Sequence, residues 1–184
     1  KNLLFAVLAT AADALVTNAP YFKNDSRPLV LAHRGSTGMY PEHTIGRTRL
    51  RILGADFVEL DLQLTKDGHL VCSHDPMLKE VSDIELHADK YESRRGNWSF
   101  PYPYDYNFTG DFLIHDFTLA ELKELRKIER YKSRNHHLDG IFSYVTLVEA
   151  IELVLDMNKK FPHHGSKTFP TGLYIETKMY EFYK

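Results

Sequence analysis

Three short apolar runs constrain this chain more than anything else in it: Leu29–Ala32, Phe57–Leu62 and His69–Ser73. Each carries ionisable groups at or near its end. The first leads into His33-Arg34-Gly35, the second contains Glu59-Leu60-Asp61, and the third leads into His74-Asp75. Burying such groups without purpose costs several kcal/mol each. Polar clusters at the ends of apolar strands are the sequence form of an active site at one mouth of a parallel barrel.

Spacing sharpens this. Side chains two apart on a strand share a face, so Glu59 and Asp61 project together as two hard oxygen ligands for one cation. His74 falls on the face of Leu70 and Cys72, and His33 on that of Leu31. If the strands are parallel neighbours, two imidazoles flank the carboxylate pair. Arg34 adds a fixed guanidinium fork suited to a phosphate. Two histidines, an arginine and a divalent cation are the tools for breaking a phosphodiester.

The ordered motifs resemble the glycerophosphodiester phosphodiesterase family: His33-Arg34-Gly35, Pro41-Glu42-His43-Thr44, Glu59-Leu60-Asp61, Thr65-Lys66-Asp67-Gly68, His74-Asp75 and a later Glu176-Thr177-Lys178. One position departs, His43 standing where the family usually has Asn. The resemblance covers Pro28 to Lys178. It implies an α/β fold of the TIM (β/α)8-barrel kind. It also implies Glu59, Asp61 and Glu176 as ligands of one Mg²⁺ or Ca²⁺, and oxygen-only ligands disfavour zinc. His33 and His74 would share general acid and base work, while Arg34 and Lys178 would bind substrate. Glu42 either touches the metal region or holds the first helix and the HRG loop, the second being the expected role. The implied reaction is hydrolysis of a glycerophosphodiester to glycerol 3-phosphate and an alcohol, in lipid and glycerol metabolism. Two alternatives stand beside it: a secreted phospholipase D of the sphingomyelinase type, and a non-catalytic fragment. The former usually carries disulfides, and this chain has a single cysteine, Cys72.

With 184 residues, 43% hydrophobic and 26% charged, the chain has room for one domain with a proper core. A net charge of −2 gives no reason to expect nucleic-acid binding. No apolar run reaches the roughly 18 residues of a membrane span. The start, Lys1 to about residue 20, resembles a signal peptide; the other reading is an N-terminal helix on the barrel floor. Asn24-Asp25-Ser26, Asn97-Trp98-Ser99 and Asn107-Phe108-Thr109 are glycosylation sequons and point the same way, to a secreted or lumenal protein rather than a cytoplasmic one.

Residues 27–184 then form the N-terminal part of the barrel domain. A helix is expected from about His43 to Leu53, ending at Gly54. Thr65–Gly68 reads as a turn, so the third strand returns by an extended arm without a helix. Residues 77–114, rich in Tyr, Phe and Trp, have no clear period and read as an inserted lobe, a small satellite core or an aromatic wall for the alcohol group. Capping boxes at Thr118/Glu121 and Thr146/Glu149 open helices to about Tyr131 and Lys160. Arg126, Lys127 and Arg130 fall on the solvated face of the first. Val148, Ile151 and Leu155 are assigned to the core face of the second. Leu173–Thr177 is the fourth strand. A whole barrel needs eight strands and typically about 250 residues. About four are present, so open barrel edges and self-association are expected.

Overall fold

The computed structural model describes residues 28–35, 39–46, 54–100, 105–161, 170–179 and 182–183. The first twenty residues and the sequon at Asn24 lie outside them. So does most of the helix expected from His43, of which only Ile45 and Gly46 are seen in helical conformation.

In chain order the strands are β1 (Leu31–Ala32), β2 (Phe57–Leu64), β3 (Leu70–Cys72), β4 (Gly96–Phe100), β5 (Tyr106–Asp111) and β6 (Gly172–Thr177). The α-helices are α1 (Ala88–Tyr91), α2 (Leu119–Glu124) and α3 (Leu147–Lys160). β2 is the centre of a four-stranded sheet. β6 runs parallel along one edge, pairing Phe57 with Gly172 through Leu62 with Thr177. β1 runs parallel along the other edge, with Leu31 opposite Phe57 and Ala32 opposite Val58. Further along that same edge comes β3, with Leu62 opposite Cys72 and Leu64 opposite Leu70.

β3 is antiparallel, which corrects the expectation of parallel neighbours. The Thr65–Gly68 turn closes a hairpin: Thr65 N–H donates to His69 O at 2.9 Å, and Gly68 takes φ 84°. Twelve residues are enough for a hairpin and too few for a parallel crossover. The next parallel neighbour of β2 is therefore β6. Three parallel strands and one antiparallel arm make up the part of the barrel present. Among the described residues, the outer edges of β1 and β6 have no partner strand.

β2 is buried from Val58 to Gln63, and its two parities differ in kind. Val58, Leu60 and Leu62 pack with Leu147, Ala150, Val154 and Met157 of α3. Glu59, Asp61 and Gln63 take the opposite face. The sheet thus has an apolar side under the helix and a polar side toward the barrel interior.

α3 spans the expected residues and has its full capping box at Thr146 and Glu149. Its rotation corrects the sequence reading. Leu147, Ala150, Leu153, Val154 and Met157 are buried, whereas Val148 is 63% and Leu155 56% exposed, and Ile151 is exposed as well. Apolar residues lie on both sides of this helix, so periodicity cannot choose between them. The bridge between Thr146 and Val71 anchors its first turn to β3 and makes the choice.

α2 also has its capping box, but it ends at Glu124 instead of running to Tyr131. Leu125 turns extended, and Asp83 pairs with the backbone of Arg126 in both directions. Lys127 then donates its N–H to Phe142 O and bridges to Ser82. These tertiary bonds replace the helical ladder and turn the following side chains inward. Lys127 is fully buried, its Nζ 4.5 Å from the Tyr144 ring centre, and Arg130 is nearly so. The solvated face assigned to them does not exist.

Residues 77–114 do contain regular structure. β4 and β5 form an antiparallel hairpin with Trp98 opposite Phe108. Phe100, Trp98 and Phe108 pack against Met77, Leu113, Met179 and Tyr183 in a small separate core. Met179 follows Lys178 directly, so this core rests on the segment leaving the C-terminal end of β6.

Candidate active site

Each element delivers its groups to the same end of the sheet. After β1 the chain turns sharply: Arg34 (φ 51°) and Gly35 (φ 79°) both take left-handed backbone. That conformation is unusual for a non-glycine residue and is typical of functional loops. Here it aims the Arg34 N–H at Glu59 Oε2, 2.5 Å away. The Arg34 side chain reaches Glu42 through Nη1 at 3.0 Å, and its Nε lies 3.6 Å from Asp61 Oδ2.

Glu59, Asp61 and Glu176 each offer a carboxylate oxygen, and the three atoms lie within 4.8 Å of one another. The parity of β2 brings the first two together. The register that sets Asp61 opposite Glu176 brings the third. Lys178 is held by its N–H to Leu62 O, and its Nζ sits 3.1 Å from Asp61 Oδ1 and 2.5 Å from Glu176 Oε1. Buried Asp61 Oδ1 makes this ion pair but no hydrogen bond. Burial pushes the Glu59 carboxyl up to about 7, and the neighbouring Asp61 charge adds to the shift against the Arg34 N–H. Burial acts on Asp61 in the same direction, but its contacts with His43 and Lys178 outweigh that and hold it well below the usual carboxylate range. A crowded, partly buried, all-oxygen cluster fits a hard divalent cation.

In the sequence His43 stands out only as a departure from the family pattern. It is buried at φ 56°, and its Nε2 lies 3.0 Å from Asp61 Oδ2. Burial lowers its pKa to about 4 in spite of the carboxylate, so the ring is neutral at pH 7. A carboxylate can only accept, so Nε2 carries the proton, and Nδ1 has no partner. His43 thus occupies one oxygen of Asp61 and leaves the other toward Glu176 and Lys178.

His74 lies on the third element. Gln63 Nε2 donates to His74 O at 2.8 Å, and Ser73 N–H donates to Asp61 O at 2.9 Å, which sets His74 beside the carboxylates. Its Nδ1 donates to Asp75 Oδ1 at 2.5 Å, leaving Nε2 with the lone pair. His33 is exposed at the end of β1, one residue before Arg34. The two histidines do not flank β2 from opposite sides. β1 runs up one edge and β3 runs down the same edge, so continuing both registers brings His33 to the level of Glu59 and His74 to that of Leu60.

Glu42 holds the HRG loop through Arg34, while most of the first helix lies outside the described residues. Oε2 accepts from Arg34, and Oε1 accepts from Arg130 Nη2 at 2.9 Å. Burial opposes ionisation of Glu42, but Lys127, Arg130 and Arg34 bring its carboxyl down to about 2. Arg130 Nη1 lies 2.7 Å from Asp75 Oδ2. No motif flagged Arg130, while Asp75 was visible only as the second half of His74-Asp75. Cys72 plays no part: it is buried, and burial pushes its thiol up to about 12.

Acid titration checks this description. A group whose folded pKa is depressed stabilises the fold above its unfolded pKa and loses that contribution as pH falls. His43 drops from 6.5 to about 4, so roughly 3 kcal/mol of stability should be lost across that window. Glu42, with 4.5 lowered to about 2, adds a second loss further down. Glu59, raised to about 7, acts in the opposite sense over nearly the same window, so the His43 share is read as a difference: in urea melts from pH 7 to pH 4, His43→Asn should lose less stability on acidification than the wild type. Asn accepts left-handed backbone better than most residues, so that variant should fold. Equal slopes in both proteins would mean that His43 is not a buried neutral imidazole.

The chain matches the model of the glycerophosphoryl diester phosphodiesterase family over residues 33–170. The match includes both histidines, Arg34, Glu59 and Asp61, and stops just short of Glu176 and Lys178. A glycerophosphodiester phosphodiesterase of Arabidopsis thaliana is 40% identical over 132 residues, covering 71% of this chain and 34% of that protein. A probable glycerophosphodiester phosphodiesterase 1 of Mycobacterium tuberculosis is 34% identical over 153 residues, covering 82% of this chain and 43% of that protein. The chain therefore spans well under half the length of these relatives. In fold it is similar to the crystal structure of a glycerophosphodiester phosphodiesterase from Agrobacterium tumefaciens, with TM-score 0.53 and 19% identity over 82% of this chain and 47% of that one. Sequence and fold agree, and the chain belongs to the glycerophosphoryl diester phosphodiesterase family.

Proposed function

We propose that this chain carries the cation- and phosphate-handling half of an enzyme that hydrolyses glycerophosphodiesters to glycerol 3-phosphate and an alcohol, in lipid and glycerol metabolism. The observation that carries this reading is the convergence of Glu59, Asp61 and Glu176 within 4.8 Å, with Arg34 and Lys178 paired to the same carboxylates. Glu59, Asp61 and Glu176 hold one divalent ion, Mg²⁺ or Ca²⁺. When bound, the ion polarises a phosphate oxygen and lowers the pKa of a hydroxyl beside it.

The chain's own residues supply the rest. Arg34 is fixed by Glu42 and by its own backbone bond to Glu59, so its guanidinium stands ready for the charge that grows on the phosphate in the transition state. Lys178 offers a second positive group from the opposite edge of β2. His74, with its proton held at Nδ1 by Asp75, offers Nε2 as a proton acceptor. His33, exposed beside Arg34, serves as the second proton-transfer group. A hydroxyl of the substrate or a water can be the nucleophile, so no protein nucleophile is needed. Glycerophosphocholine hydrolysis, assayed with and without EDTA and followed by choline and glycerol 3-phosphate release, tests the function. Release that EDTA leaves untouched would remove the metal role, and no release from any glycerophosphodiester would remove the reaction.

We further propose a secreted or lumenal location. Asn97 and Asn107, both within sequons, are exposed on the β4–β5 hairpin, where a glycan could be accommodated. Among the described residues no helix is long and apolar enough to cross a membrane. The isolated chain should also self-associate. Val148, Ile151 and Leu155 on α3 and Tyr174 and Ile175 on β6 are exposed, and the outer strand edges carry backbone groups free to pair. Light scattering on the purified chain checks this; a monodisperse monomer across the micromolar range would show that these surfaces do not drive association.

A further inference from the structure

Arg130 stands outside every motif of the site, yet its side chain joins the two loops that carry its basic and imidazole groups. Through Nη2 it binds Glu42, which holds Arg34; through Nη1 it binds Asp75, which holds His74. The series His74–Asp75–Arg130–Glu42–Arg34 has contacts of 2.5, 2.7, 2.9 and 3.0 Å and alternates in charge from Asp75 to Arg34. It is largely enclosed: the side chains of Arg130, Asp75 and Glu42 are 10%, 14% and 3% exposed. Arg130 also comes from a third direction, the extended segment after α2, so neither loop positions it.

We propose that Arg130 is a positioning residue: by holding Asp75 it fixes the ring and tautomer of His74, and by holding Glu42 it steadies Arg34. The physical reason lies in the geometry of Asp75. A carboxylate with only the His74 bond could rotate about its side-chain torsions, and the imidazole would follow. The guanidinium pins its second oxygen, so the Nδ1–H bond has one direction and the neutral ring keeps its lone pair on Nε2. A planar fork that meets two carboxylates at once needs Arg; Lys would present a single point charge. This assignment rests on the proton-transfer role given to His74 above.

The test separates the two ideas. Imidazole nitrogen NMR on the full chain reads the His74 tautomer without any turnover. The wild type should show the Nδ1–H form with a slowly exchanging proton. Arg130→Gln should show mixed tautomers and a faster-exchanging ring proton. An unchanged His74 signal in folded Arg130→Gln overturns the proposal, whatever the protein hydrolyses. Where diesterase activity is present, Arg130→Gln should lower kcat roughly 10–100-fold with KM within about threefold. In a His74→Ala background the same change should cost several-fold less, since only the Glu42–Arg34 arm is left to position. A full, multiplicative loss there would mean that Arg130 acts through general stability and not through His74. If Arg130→Gln does not fold, Arg130→Lys keeps the charge and is read by the same signals, an unchanged tautomer again counting against the proposal.

Discussion

Asp61→Asn should reduce cation affinity by at least about 100-fold, beyond the roughly 10–100-fold typical of an outer partner. Asp61 is the hub of the carboxylate cluster: His43 on Oδ2, Lys178 on Oδ1, and Glu59 and Glu176 within 4.8 Å. The substitution is nearly isosteric, and the Asn carbonyl can still accept from His43 Nε2. The fold should therefore survive while the site loses one negative charge. Calorimetric titration with Mg²⁺ and with Ca²⁺ measures the loss. Glu176→Gln should cost less, because that side chain is 53% exposed and less constrained. Equal affinity for wild type and Asp61→Asn would show that the ion, if it binds, does not use this cluster.

His74→Ala should lower turnover of a glycerophosphodiester by roughly 10²–10⁴-fold, the usual range for a proton-transfer residue. The ring is held at Nδ1 and partly exposed, so its removal leaves little buried unsatisfied polarity apart from Asp75, which retains Arg130. Unfolding midpoints should accordingly change little. His33→Ala should fall in the same range of turnover. Single-turnover rates beside melting curves decide between chemistry and folding. Near-normal rates in either variant would remove that histidine from the mechanism, and the closeness of the two on one edge of β2 makes the comparison informative.

What could be seen in the sequence was what depends on near neighbours. The face shared by Glu59 and Asp61 follows from a two-residue strand period. The starts of α2 and α3 follow from Thr and Glu three apart, which satisfy each other's backbone groups. The HRG, HD and E-x-K motifs marked the strand ends because ionisable groups next to apolar runs are costly without a purpose. Tertiary structure decided everything in which two local solutions were close in energy. The choice of faces on α3 was open until Thr146 bridged to Val71. The end of α2 was set by Asp83 and Ser82 claiming the backbone of Arg126 and Lys127, and only that turned Arg130 from an apparent surface charge into the link between Glu42 and Asp75. The direction of β3 and the seat of β6 beside β2 likewise came from sheet pairing. Helix and strand propensities differ by less than about 1 kcal/mol per residue, and a few long-range hydrogen bonds and buried contacts override that.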